Sequence, residues 1–306
     1  MLAVRYKKFF VLFSFFVMLL SALFIFTIKP QLSIEFTGGS LFVVKGDTST
    51  EERIHQLLKN EGLSNYSLRE VKANSQTYIY IKTNESGNLE SVLKNLDVNI
   101  ERSSFIGPSL GDEMKKKAAV AIILSVFLII LFVAYAFKEV SYPVSSFAYG
   151  LIAILALVHD MLVPAAFFSV LGQWTSAEIG SLFVIAMLAT LGYSVNDTIV
   201  VFDRVRERLK INKAKKIKES FEETVGKAIS STIARSINTS LTTALSLFVL
   251  YLIGPESTRY FALALLVGVI AGTYSSIFLA GPALVYWAKL FPKKEKKEKG
   301  PDKINA

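Results

Sequence analysis

The chain has 306 residues, 52% of them hydrophobic, and a mean hydropathy of +0.45, which excludes a domain that covers itself with polar groups in water. Its 34 basic and 25 acidic side chains leave a net charge of +9, yet the excess lies beside apolar runs with no base-stacking motif, which argues against a nucleic-acid ligand. Cysteine is absent, so disulfides, thiolate chemistry and thiolate metal sites are excluded.

Crossing roughly 30 Å of hydrocarbon takes about 20 residues at 1.5 Å each, and six runs qualify. Residues 1–28 hold a basic N-terminus and the first span, Phe9 to Ile28, interrupted only by Ser14, Ser21 and Thr27. It is too long for the apolar region of a signal peptide and lacks a small-x-small cleavage site. Residues 29–117 carry 12 basic and 12 acidic side chains and read as a water-soluble domain. Ser33 to Lys45 is expected as a strand broken by Gly38 and Gly39, and Ser49-x-x-Glu52 as a capping box opening a helix to about Asn60. Strands are expected at Tyr66 to Lys72, Thr77 to Thr83 and Val98 to Phe105, with a helix from Asn88 to Leu96. Tyr78, Tyr80 and Lys82 alternate with Ile79 and Ile81. That order, βαββαβ, is the α+β ferredoxin-like arrangement. Such a sheet serves as a plain platform, or offers a face and edges for an extended chain.

Residues 118–202 hold spans two to four: Ala118 to Phe137, Val144 to Val170 and Ile179 to Phe202. Residues 203–232 form a basic segment in which Ile217, Phe221, Val225 and Ile229 have amphipathic spacing, expected as a cytoplasmic loop lying along the inner leaflet. Residues 233–288 hold the fifth span, Ile233 to Ile253, and the sixth, Phe261 to Trp287, where Gly268-x-x-x-Gly272 permits close helix approach. Residues 289–306 are a Lys/Glu-rich tail, expected to be disordered. The fold class is therefore a polytopic α-helical membrane protein of six transmembrane helices, with the ferredoxin-like domain between the first two.

Basic loops stay in the cytoplasm. With the N-terminus inside, 21 of the 34 basic residues are cytoplasmic, and the 12 of the long loop and Arg259 are outside. Both termini are then cytoplasmic and the folded domain is extracytoplasmic. Lys115, Lys116 and Lys117 dissent and are outvoted.

An ionisable group within a span costs about 2.5–3.5 kcal/mol on insertion scales and marks a pathway. The third span contains His159 and Asp160, the fourth Asn196 and Asp197, and the fifth Arg235, Asn238, Thr239, Thr242 and Thr243. Thr190, Ser194 and Asp197 share one helical stripe with Tyr193 a turn before Asp197, and Arg235, Thr239 and Thr242 repeat that spacing. Both stripes are expected to face inward. Because the two spans run in opposite directions, Asp197 and Arg235 should lie at comparable depth, where an ion pair is possible. A nearby cation favours a charged carboxyl and burial a neutral one, so movement of Arg235 would switch Asp197 between binding and releasing a proton. A static packing pair is the alternative. Adjacent residues point about 100° apart on a helix, so His159 and Asp160 are not expected to form a joint site.

Leu191 to Glu207, LGYSVNDTIVVFDRVRE, resembles the fourth-span signature of the SecF branch of the SecD/SecF protein-export family. Ile34 to Ser40 (IEFTGGS) resembles its Gly-Gly segment, Gly107 to Met114 (GPSLGDEM) its start of the second span, and Ala234 to Thr243 (ARSINTSLTT) its fifth. Glu35 stands where the family more often has Asp, which keeps the charge. The resemblance covers the chain except its basic tail. It implies an inner-membrane subunit that pairs with SecD, a related six-span protein, and associates with the SecYEG channel. Together they use the proton gradient to help draw unfolded polypeptide across after the SecA motor has acted. It implies half of a twelve-helix unit of the resistance-nodulation-division superfamily, with Asp197 and Arg235 as proton-coupling residues. Polar lining would come from Thr190, Tyr193, Ser194, Asn196, Thr198, Asn238, Thr239, Thr242 and Asp160, and the membrane-border motif from Glu35, Gly38, Gly39, Gly107, Pro108 and Gly111. No cofactor is implied beyond the coupling proton, and no enzymatic activity.

Three rivals stand against this. A small-molecule or lipid exporter of that superfamily usually has twelve spans and two external domains in one chain. An intramembrane aspartyl protease needs two carboxylates sharing a water, and neither Asp160 nor Asp197 follows a Gly-x-Gly segment. A scaffold that stabilises SecD without coupling is the third.

Overall fold

A computed structural model describes residues 2–63, 66–73, 76–83, 93, 98–137 and 143–292. Among them, six helices are long and apolar enough to cross a membrane: Lys7–Ile28, Pro108–Ala136, Ser146–Leu171, Ser181–Ala214, Phe221–Ile253 and Ser257–Leu290. The chain is thus a polytopic helical membrane protein. Spans three, four and six form the centre, each with about half of its apolar stretch buried, whereas spans one and two are exposed along most of theirs. Phe9, Leu12, Phe16 and Leu19 on the first span and Ile123, Phe127 and Phe132 on the second point outward, a surface that suits lipid and would be unfavourable in water.

Helices four and five run further than their apolar stretches. With 34 and 33 residues each is about 50 Å long, and they leave only 215–220 between them. The basic segment expected to lie along a leaflet is instead the end of one upright helix and the start of the next. Two residues of its apolar stripe are covered by protein: Val225 and Ile229 are enclosed, and a Cβ on Gly281 would stand 2.5 Å from Ile229 Cδ1. Ile217 falls in the turn and is exposed, next to Lys216 at φ 53°. Ser220 then opens helix five, its hydroxyl and the Glu223 side chain forming a capping box.

Span six changes pitch in its middle. Glu256–Tyr274 is α-helical, Ser275–Ala280 is a π-helix, and Gly281–Leu290 is α-helical again. Pro282 supplies the local cause, because it has no N–H for the Phe278 carbonyl and its ring crowds that group. The wide turn relieves the crowding and re-aims Ser275 and Ser276.

Between spans one and two lies a four-stranded antiparallel sheet, order β2-β3-β1-β4, built from β1 Gly39–Lys45, β2 Tyr66–Ala73, β3 Gln76–Thr83 and β4 Asn99–Ile106. Phe42, Val44, Ile79 and Ile81 close one face over Ile54 and Leu58 of the helix Thr48–Asn60, with Leu93. Two local expectations are corrected. Ile34–Thr37 is a helical turn, so the strand begins only at Gly39. The helix is capped by Asp47 with Thr50 in place of the Ser49/Glu52 box; hydrogen bonds from Ser49 and Thr50 hold the Asp47 carboxyl down at about 2. The expected helix Asn88 to Leu96 and most of the basic tail lie outside the described residues. The second-span helix begins at Pro108, so Lys115, Lys116 and Lys117 belong to it and not to the folded domain.

Candidate functional site

The buried polar side chains gather where spans three to six meet. Thr190, Ser194, Asp197 and Thr198 line the inward face of span four and are all buried. Sixth-span glycines bring that face close: a Cβ on Gly268 would meet Thr190 Oγ1 at 2.3 Å, and one on Gly272 would meet Ser194 Cβ at 2.9 Å. The Gly-x-x-x-Gly pair is therefore a genuine helix seam.

Asp197 is held between spans four and five. Its carboxylate accepts from Ser236 Oγ at 3.3 Å and, more loosely, from Ser240 Oγ at 3.5 Å, and Ser240 Oγ lies 2.6 Å from Thr273 Oγ1 of span six. No cation pairs with it among the described residues. Arg235 adjoins Ser236, which reaches Asp197, and its own side chain is exposed. Arg235, Asn238, Thr239 and Thr242 are exposed, while Thr232, Ser236 and Ser240 turn inward. Two hydroxyl-bearing stripes about 100° apart run along this helix, and sequence spacing alone does not choose between them. Asn196 is likewise exposed. Tyr193 turns to span five, bonding the Thr239 carbonyl at 3.3 Å and the Thr243 hydroxyl. Ser236, Ser240, Thr273, Ser275 and Ser276 were missed from sequence; their signal was the hydroxyl spacing 232, 236, 240 and the Gly281-Pro282 break.

Asp160 is fully buried and brought to span four, where it accepts from Ser194 Oγ. It also accepts from Ser275 Oγ at 2.8 Å, and His159 Nδ1 is 2.8 Å from its other oxygen. The two neighbours do form a joint site, contrary to expectation, because rotation of the imidazole about its side-chain bonds overcomes the backbone angle between them.

A second constellation lies at the sheet-side end of the bundle and gathers most of the membrane-border motif. Gly38 has φ 68°, and a Cβ there would be 2.7 Å from Pro108 Cα; a Cβ on Gly111 would be 2.7 Å from Gly38 N. Glu35 accepts from Ser181 N at 2.6 Å, so its carboxylate caps the positive end of the span-four helix. Gln31 and Ser33 pair their backbones with Ile179 at 2.7 and 3.1 Å. From β2, Arg69 donates to the carbonyls of Gly172 and Thr175 at 2.7 and 3.1 Å, a cation at the negative end of span three. Gly107 has open space around its Cα and serves as the N-cap of span two.

Lys82 of β3 completes the seat, 3.7 Å from Glu178. Burial outweighs this pairing and pushes the Glu178 carboxyl above its usual range, while it lowers the Lys82 ammonium. A raised carboxyl binds its proton more tightly when docked, so docking is strongest below the ordinary Glu value of about 4.3 and weakens as pH rises through the elevated one. Lys82 adds a penalty relieved only in alkali. Spin labels on β3 and the 172–180 connection should report a larger docked fraction in mild acid than at neutrality, and Glu178→Gln should flatten that dependence. An unchanged slope in Glu178→Gln would reject the assignment.

Residues 88–290 match the family model described as "Protein export membrane protein SecD/SecF, C-terminal", and residues 23–50 match the "SecD/SecF GG Motif". Two proteins named Protein translocase subunit SecF, from Thermobaculum terrenum and Sebaldella termitidis, are each 36% identical to this chain, over 93% and 94% of it and 93% and 92% of theirs. The crystal structure of SecDF, a translocon-associated membrane protein from Thermus thermophilus, aligns with a TM-score of 0.80 at 28% identity. That alignment covers 94% of this chain, which spans 38% of the longer one. The matched family regions include Glu35 to Gly39 of one constellation and Asp160 and Asp197 of the other, while Arg69 and Lys82 lie between them.

Proposed function

Because this chain belongs to the SecD/SecF family of protein-export membrane proteins, we propose that it is a SecF-type subunit coupling the proton gradient to late steps of protein translocation. In this reading Asp197 binds and releases the coupling proton, Arg235 biases that equilibrium as it moves, and no substrate is turned over chemically. The observation that carries it is Asp197 itself, a carboxyl 6% exposed inside a membrane bundle and held, among the described residues, by the hydroxyls of Ser236 and Ser240. With no cation paired to it, its charge responds to any change in nearby charge or water.

The partners are a SecD-type protein of six further spans, the SecYEG channel, and unfolded polypeptide delivered by SecA. Arg235, Asn238, Thr239 and Thr242 support a membrane partner, because an Arg facing lipid costs about 2.5–3.5 kcal/mol on insertion scales and a second helical half would cover it. The reading places the sheet domain outside the inner membrane and both termini in the cytoplasm, in keeping with the basic residues at the opposite end. It also takes that domain as ferredoxin-like, supported by its antiparallel order and the helix on one face. Reconstitution of this chain with its SecD-type partner and SecYEG should give faster export under an imposed proton gradient than without one. Equal rates in both conditions would reject the coupling role and leave a scaffold.

A further inference from the structure

Asp197 is not the only carboxyl in the bundle without a fixed cation. Asp160 is 0% exposed and His159 2%, and the carboxylate collects three donors: His159, Ser194 from span four and Ser275 from the π turn of span six. His159 Nε2 is buried and has no hydrogen-bond partner among the described residues. The imidazole stacks on Tyr274 at 5.7 Å between centroids, and the Tyr274 hydroxyl is 3.1 Å from Ser14 Oγ of span one. Pro164, four residues on, has no N–H for the Asp160 carbonyl, so the helix is loosened at this point.

A neutral His159 that donates from Nδ1 leaves the site with a whole negative charge in a membrane core, which is costly. One more proton cancels it, and the bare Nε2 and the carboxyl are the seats open to that proton. Few other groups compete. Span four offers Asp197, with Tyr193 turned to span five; span six offers Tyr274, span two only the exposed Tyr135 beyond Lys117, and span one nothing titratable between Lys8 and Ile28. Tyr286 and Lys289 of the last helix lie about three turns beyond Ser275. Ser194, which donates to Asp160, sits on the same buried face as Asp197 and one turn from it.

We propose that His159 and Asp160 form a second proton-binding site, holding one proton between them and exchanging it with Asp197 by way of Ser194. In one pass the Ser194 hydroxyl gives its hydrogen to a deprotonated Asp160 as it takes one from a protonated Asp197, so a single proton changes carboxyl and the serine is left unchanged; the opposite pass returns it. The inference rests on Asp197 being the coupling carboxyl, but it is tested without measuring export.

The sequence has two histidines, and the other, His55, is exposed on the sheet domain beside Tyr66. His55→Gln leaves one imidazole to observe while sparing the bundle. In nanodiscs carrying the complex, with 15N in this chain alone, ring spectra of His159 should show the doubly protonated ring replacing the neutral one as the pH is lowered. Asp197→Asn should move that midpoint by about one pH unit, as coupled groups do, and Asp160→Asn should leave His159 neutral throughout. A single neutral tautomer across the range, or a midpoint indifferent to Asp197→Asn, would overturn the proposal and leave a static packing pair. Neither result would bear on whether Asp197→Asn abolishes gradient-driven export.

Discussion

Asp197→Asn is expected to bring export down to its gradient-independent level while yield, thermal stability and co-purification with the partner stay as in the parent. The substitution keeps the size of the side chain and an oxygen to accept from Ser236 at 3.3 Å or Ser240 at 3.5 Å. It also removes a charge from a buried place, so folding has nothing to lose. What disappears is titration, and with it the whole gradient-dependent increment. Ser236→Ala is the companion variant: losing one hydroxyl donor costs about 0.5–1.5 kcal/mol, which should shift the pH profile of stimulation without abolishing it. Full stimulation retained by Asp197→Asn would end the coupling reading, whatever the homology.

Gly38→Val is expected to unseat the sheet domain from the helices. The residue sits at φ 68°, and its Cα lies so close to span two that a Cβ would be 2.7 Å from the Pro108 backbone. A backbone at positive φ with ψ 178° is essentially confined to glycine and costs an ordinary residue about 1–3 kcal/mol, and overpacking adds about 1–3. No flexible side chain is available to yield, since Gly111 packs against the same point at backbone distance. Because the chain has no cysteine, a Leu32→Cys, Ile179→Cys pair across the backbone bridge gives a clean readout. Cross-linking should be efficient in the parent and slower in Gly38→Val, the docking equilibrium constant falling about tenfold for each 1.4 kcal/mol. Undiminished cross-linking would mean that the Gly-Gly segment does not hold the domain in place.

The two variants separate the constellations. Asp197 would carry the proton and the Glu35/Gly38 seat would carry the mechanical link, since Glu35 caps the same helix on which Asp197 lies. The helix that carries Asp197 is hydrogen-bonded at its sheet-side end to Glu35, just before the root of β1.

Several features follow from the order of residues alone. The six apolar runs, the soluble insertion, the alternation that buries Ile79 and Ile81, and the Asp197 stripe are all consequences of local periodicity and of how costly polar atoms are in hydrocarbon. Other features needed the assembled bundle. Which of two hydroxyl stripes on span five meets Asp197, how the imidazole of His159 reaches Asp160, and that the basic segment stands upright as helix all depend on what packs alongside. A helical pattern says that a face is covered, but the covering element comes from elsewhere in the chain, and a rotation of about 100° exchanges one stripe for its neighbour. Contacts such as Glu35 with Ser181, 146 residues apart, exist only once the helices have come together.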